Sequence, residues 1–157
     1  MSRNQPSAAT VSDLKKHLGF WLRFVSNHVS QAFARKLLKS GVTVAEWVVL
    51  REMYGRDGMS PGVVAELTGL TRGAVSKLVD RLVGKELVTR QDRCADRRFQ
   101  DIALTPAGRR LAPSLAALAE LNDQEFFTPL SIREREALLE TLKKLVRAHG
   151  LHQLPTD

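Results

Sequence analysis

The hydrophobic period of the chain changes between Ser60 and Leu104, and that change narrows the folds open to it more than any other feature. Ser60-Pro61 starts a helix: the hydroxyl can cap the free N–H groups of a first turn, and proline loses nothing at a position whose N–H would have no partner. Val63, Val64 and Leu67 follow as the apolar side, and Gly69 can turn the chain left-handed at the helix end without a Cβ penalty. From about Arg72 to Lys85, Val75, Leu78, Val79 and Leu82 recur at i, i+3, i+4 and i+7, which predicts a second helix with one buried stripe. Residues 87–104 then read as strands, Leu87 to Gln91 and Phe99 to Leu104, with a turn from Asp92 to Arg98.

The small residue Ala65, the glycine Gly69 and the β-branched Val75 have the spacing of a helix-turn-helix, with Leu70 plugging the turn. The other face of the second helix carries Thr71, Arg72, Gly73, Ser76 and Lys77. Short or cationic residues near a helix N-terminus suit a major groove, where Arg72 can span guanine O6 and N7 and Thr71 and Ser76 can bond phosphate or a base edge. Gly73 lets backbone approach the duplex, and the helix dipole adds a modest attraction for phosphate. Ser60, at the start of the first helix, is counted with these DNA-binding candidates. An ordinary amphipathic helix pair would share the turn spacing, and the hairpin separates the two readings. Arg93, Arg97 and Arg98 crowd its tip and repel one another unless an anion offsets them, as a narrow minor groove does. Asp96 is assigned an orienting role, pairing with an arginine to hold the hairpin in shape.

Helical sequence surrounds this centre. An apolar stripe of Leu14, Leu18, Trp21, Leu22, Val25, Val29 and Phe33 predicts one long helix from Ser12 to about Leu38. Gly41 ends it, and Thr43 is the N-cap expected for a helix carrying Trp47, Val48, Leu50 and Met53. Tyr54 to Met59 reads as a turn or very short strand. Thr105-Pro106 repeats the cap-plus-proline start, and Pro113 is expected to bend that helix or shift its start. Ser131 and Glu134 form a capping box before a last helix with Leu138, Leu139, Leu142, Leu145 and Val146 on its inner side. The expected fold is therefore mainly α with a small β-wing. Residues 12–40 and 105–149 supply dimerisation helices around a DNA-binding region at 41–104, because the terminal helices carry more apolar surface than one small winged helix can cover.

A net charge of +7 is concentrated in two blocks, +6 over residues 1–40 and +4 over residues 71–98. The second coincides with the reading region, as contact with phosphate requires. The first is read as a solvated helix face. No apolar run reaches the ~20 residues that span a bilayer, and the polar N-terminus lacks a signal-peptide core, so a cytoplasmic protein without membrane contact is expected. Cys94 is the only cysteine. The arginines beside it favour a thiolate, but its place in the turn is read as incidental. The pairs His149/His152 and His17/His28 lack the companions of a metal site, and no nucleophile–base set or phosphate-cradling glycine loop occurs. Neither a cofactor nor catalysis is expected.

Together these residues resemble the MarR (multiple antibiotic resistance regulator) family of winged-helix regulators. The resemblance rests on Ala45 to Arg51, the helix pair Val64 to Val79, the wing Asp92 to Arg98, and Leu104-Thr105-Pro106-Ala107-Gly108 after it. It implies a homodimer that reads a near-palindromic double-stranded operator, most often as a repressor relieved by a small aromatic or phenolic ligand. For that ligand Trp21, His28, Trp47 and Arg51 are the candidate pocket residues. A non-specific or architectural nucleic-acid binder is the competing expectation.

Overall fold

The computed structural model describes residues 11–92 and 100–152. Six helices and one hairpin follow in the order α1 (Leu18–Leu37), α2 (Val44–Met53), α3 (Pro61–Thr68), α4 (Arg72–Gly84), β1 (Val88–Asp92), β2 (Gln100–Leu104), α5 (Pro106–Phe126) and α6 (Ile132–Ala148). This is the mainly helical fold with a two-stranded wing that the sequence predicts.

Local chemistry sets most boundaries. Ser60, Thr71, Thr105 and Ser131 each accept a hydrogen bond from a backbone N–H three residues on. Gly69 ends α3 in the left-handed region at φ 71°. The strands pair antiparallel, Val88 opposite Leu104 through Asp92 opposite Gln100. Met59 and Ile102 exchange both backbone hydrogen bonds, at 3.0 and 2.9 Å, so β2 is held on two sides.

Three expectations need correction. The first helix does not begin at Ser12. Asp13 caps a single 3-10 turn at Leu14–Lys16, His17 is extended, and Trp21 Nε1 donates to the Lys15 carbonyl at 2.9 Å, which folds the segment back before α1 starts. Pro113 does not shift the start of α5, which runs continuously from Pro106 with Pro113 inside it. Finally, α3 buries Val64 and Ala65, whereas Val63 and Leu67 are exposed. With only two turns, that helix has room for one contact row against its neighbours.

A single core joins Phe33 and Leu37 of α1, Trp47, Val49, Leu50 and Met53 of α2, the α4 stripe, Ile102 and Leu104 of β2 and Leu115 of α5. The head formed by α2, α3, α4 and the hairpin is thus fused to the lower half of α1 and to α5. Helices α1 and α5 also meet through Lys36 and Glu125 (2.6 Å) and through Asn122, whose Nδ2 donates to the Val29 carbonyl at 3.4 Å. In contrast, α6 buries none of its residues.

Candidate nucleic-acid interface

Four buried residues of α4, Val75, Leu78, Val79 and Leu82, turn the opposite face of that helix outward. Arg72, Gly73, Ser76 and Lys77 are exposed on it, and Thr71 is half-buried at its start. The Thr71 hydroxyl accepts from the Ala74 N–H at 3.2 Å, and its proton remains available for an outside acceptor. Ser60 does the same for α3, accepting from the Val63 N–H at 3.3 Å. The Arg72 guanidinium turns back toward α3, one nitrogen lying 3.9 Å from where a Cβ on Gly62 would stand. It lines a cavity of about 390 Å³ with Gly62, Ala65, Glu66, Leu70 and His152. A cation, a capping hydroxyl and the N-terminus of α3 therefore gather beside the outer face of α4. Among the described residues, nothing beyond its own helical turn lies within 4 Å of a Cβ added at Gly73, so packing there does not call for a glycine.

The base of the wing is tied to this helix. Arg90 of β1 forms an ion pair with Asp80 of α4, and Gln100 Nε2 donates to Asp92 Oδ1 across the hairpin at 3.1 Å. The tip residues Arg93, Asp96, Arg97 and Arg98, together with Cys94, lie outside the described residues.

At the far end of α4 stands a buried ionic contact that the sequence reading missed. Thr43 and Glu46 form a complete capping box, with the Thr43 N–H donating to Glu46 Oε2 at 2.9 Å and the Glu46 N–H to Thr43 Oγ1 at 3.2 Å. The threonine-x-x-glutamate spacing that signals this box is present in the sequence. Its tertiary partner is Lys85, whose Nζ donates to Glu46 Oε2 and to the Gly41 carbonyl, both at 2.7 Å. Glu46 is 1% exposed. Burial pushes its carboxyl up, but the bonds from Lys85 and Thr43 outweigh burial and hold it below the ordinary value. A carboxyl lowered in the folded state stabilises fully above its unfolded pKa of about 4.3, and that contribution fades as pH falls through the folded value. Urea melts should therefore show wild type losing stability below about pH 4.3 more steeply than Glu46→Gln. Parallel curves for the two proteins from pH 6 to 3 would remove this role.

The four candidate ligand residues are not brought to one place. Trp47 is buried and packs edge-on against Phe33, with ring centroids 6.4 Å apart. Trp21 and His28 are exposed on α1, where Phe24 contacts both rings and the His28 Nδ1 bonds the Phe24 carbonyl at 2.7 Å. Arg51 lines a cleft of about 310 Å³ between α2 and α5, with Tyr54, Ala112, Pro113, Ala116, Ala117 and Glu120. Among the described residues no cluster of three or more His, Cys, Asp or Glu side chains could hold a metal ion, and no helix is long and apolar enough to cross a membrane.

Residues 40–98, which include the whole helix-turn-helix and the first strand, match the MarR family. A candidate transcriptional regulatory protein for the hcr operon of Thauera aromatica is 28% identical over 151 residues, covering 92% of this chain and 91% of its own. The fold agrees as well: Bordetella bronchiseptica BpsR, whose DNA binding is regulated by 6-hydroxynicotinic acid, superposes with a TM-score of 0.79 at 27% identity, over 86% of this chain and 96% of its own. The chain is thus similar to MarR-family regulators, in sequence over its helix-turn-helix and in fold over most of its length. A cysteine-to-serine mutant of Escherichia coli MarR bound to operator DNA superposes with a TM-score of 0.78 at 25% identity, over 86% of this chain and 99% of that one. The proteins this chain is similar to are DNA-binding transcriptional regulators.

Proposed function

We propose that the protein is a homodimeric repressor that reads a near-palindromic operator through two copies of α4 and two wings, and that a small aromatic ligand releases it. The observation that carries the DNA contacts is the outer face of α4, where Thr71, Arg72, Gly73, Ser76 and Lys77 stand free of the core beside the Ser60 cap. Arg93, Arg97 and Arg98 enter the minor groove in this reading, and Asp96 orients them. Dimerisation is supported by the apolar surface left open on α1 and α6: Leu18 is 72% exposed, Trp21 45%, Leu139 52% and Leu142 39%. An isologous partner would bury both rows.

Arg51 with Tyr54 marks the effector site, in a cleft between the reading head and α5. Regulation of the structurally similar BpsR by a heteroaromatic acid supports that class of ligand. In this reading Trp21 and His28 complete the site only after the dimer has formed, and Trp47 supports the helix that carries Arg51.

Operator selection from a random duplex pool, followed by competition at physiological salt, tests the reading. Preference for the selected duplex over random DNA should reach ~10³ or more, whereas a charge-only binder gives a ratio near one. Arg97→Ala is expected to weaken both complexes and to reduce the salt slope by about 1. Arg72→Ala should cost about 1–3 kcal/mol on the selected site alone. Unchanged affinity in both variants would remove the proposed contacts. Aromatic acids titrated into the same complex should dissociate it.

A further inference from the structure

We propose that Lys85 is a positioning residue that sets the distance between the two reading heads, by locking the end of α4 to the turn below α1. This inference rests on the dimeric reading above. Lys85 is the meeting point of three elements: its backbone N–H caps the C-terminus of α4, and its ammonium bonds the carbonyl of Gly41 after α1 and pairs with the buried Glu46 in the first turn of α2. The Gly41 carbonyl and Glu46 lie 44 and 39 residues away along the chain. At Gly41 the backbone turns left-handed at φ 66° between the helix assigned to the dimer and the helix that supports the head.

Thr105 bonds the head to α5 through the Leu87 and Glu86 carbonyls, whereas the contact of α2 with α1 is otherwise apolar. Val42, Trp47 and Leu50 of the α2 region pack against the α1 and α4 core residues without a directional bond. Apolar contact resists separation but tolerates small sliding, whereas an ammonium held by a carbonyl and a carboxylate is directional. Lys85 sits at the end of the reading helix away from its DNA-facing N-terminus. A rotation of a few degrees allowed at Lys85 therefore swings Arg72 and Ser76 sideways. In a dimer the swing occurs twice and in opposite senses, so it alters the half-site separation that both heads fit together. One base-pair step is about 3.4 Å.

The test compares operators whose half-sites are moved apart or together by one and two base pairs. Wild type should prefer one spacing by tenfold or more. Lys85→Met, which keeps the apolar stem and loses the ammonium, should reduce that preference to about threefold or less. Lys85→Arg should restore it, because a guanidinium can still reach both oxygen partners. Glu46→Gln keeps the Thr43 bond, removes the charge pair and serves as the milder variant if Lys85→Met does not fold. Arg81→Met, the same loss of charge on an exposed position of α4, should retain the wild-type preference. A merely structural role for Lys85 would lower the melting temperature and leave the spacing preference intact. That outcome, in folded Lys85→Met or Glu46→Gln, overturns the inference while the dimeric reading stands. A wild-type protein indifferent to spacing overturns the dimeric reading and the inference with it.

Discussion

Gly108→Ala is expected to lower the unfolding free energy by about 2 kcal/mol or more, although alanine is by nature the better helix former by about 1 kcal/mol. An added Cβ would lie 2.2 Å from the Leu87 carbonyl oxygen and 3.2 Å from its carbon, and both obstacles are backbone. No rotamer change can relieve them. The first turn of α5 must move off the start of the wing, where the Thr105 N–H donates to the Leu87 carbonyl at 3.1 Å and the Thr105 hydroxyl to the Glu86 carbonyl at 2.7 Å. The clash therefore outweighs the propensity gain, and the wing shifts with it. Gly84→Ala is the matched control, because nothing lies within 4 Å of its Cβ. That change should stabilise by up to about 1 kcal/mol. Urea melts of both variants decide the matter: Gly108→Ala as stable as Gly84→Ala would show that the close contact is relieved without cost. At roughly 2–4 °C per kcal/mol, the Gly108 variant should also melt several degrees earlier.

The second large effect is expected at the other end of the molecule. Leu142 is 39% exposed and shares a cavity of about 290 Å³ with Phe127, Leu130, Leu138 and Leu139, between the end of α5 and α6. A carboxylate there costs an isolated protomer little, since water still reaches the position. In a dimer the same charge must be buried without a partner, at several kcal/mol. Leu142→Asp should therefore sediment as a folded monomer. Each head would then bind alone and lose the effective-concentration advantage of a linked pair, so operator affinity should fall about 10²- to 10⁴-fold while affinity for a single half-site barely changes. A dimeric Leu142→Asp protein with full operator affinity would place the interface elsewhere.

Which parts of this fold could be read from sequence follows from how far each contact reaches. Ser60-Pro61, Thr105-Pro106 and Ser131 with Glu134 declare their helices because a cap and its target lie three residues apart. The α4 stripe is equally local, and its four apolar residues are the buried ones. The false start at Ser12 arose because Leu14 and Leu18 continue the helical period, while the break at His17 depends on Trp21 bonding back to Lys15. Periodicity also cannot say which chain covers an apolar stripe. Phe33 and Leu37 find cover within the protomer and Leu18 and Leu22 do not, though all stand in one helix. Lys85 was invisible for a related reason. A single lysine in a basic segment looks solvated until Gly41 and Glu46 are brought to it from a different part of the chain.

The bareness of α6 bears on how much protein a cell must make before regulation begins. A 17-residue helix with no buried side chain gains little from its own protomer, and most helical stability in proteins comes from packing an apolar face. On the dimeric reading its order comes from a partner, so folding and assembly share one concentration dependence. Below that concentration a chain would carry a complete reading head and a fraying tail open to proteolysis. Above it the tail is protected and two heads act together. Regulator abundance would then be sensed by the last helix, through survival of the chain, before any operator is occupied.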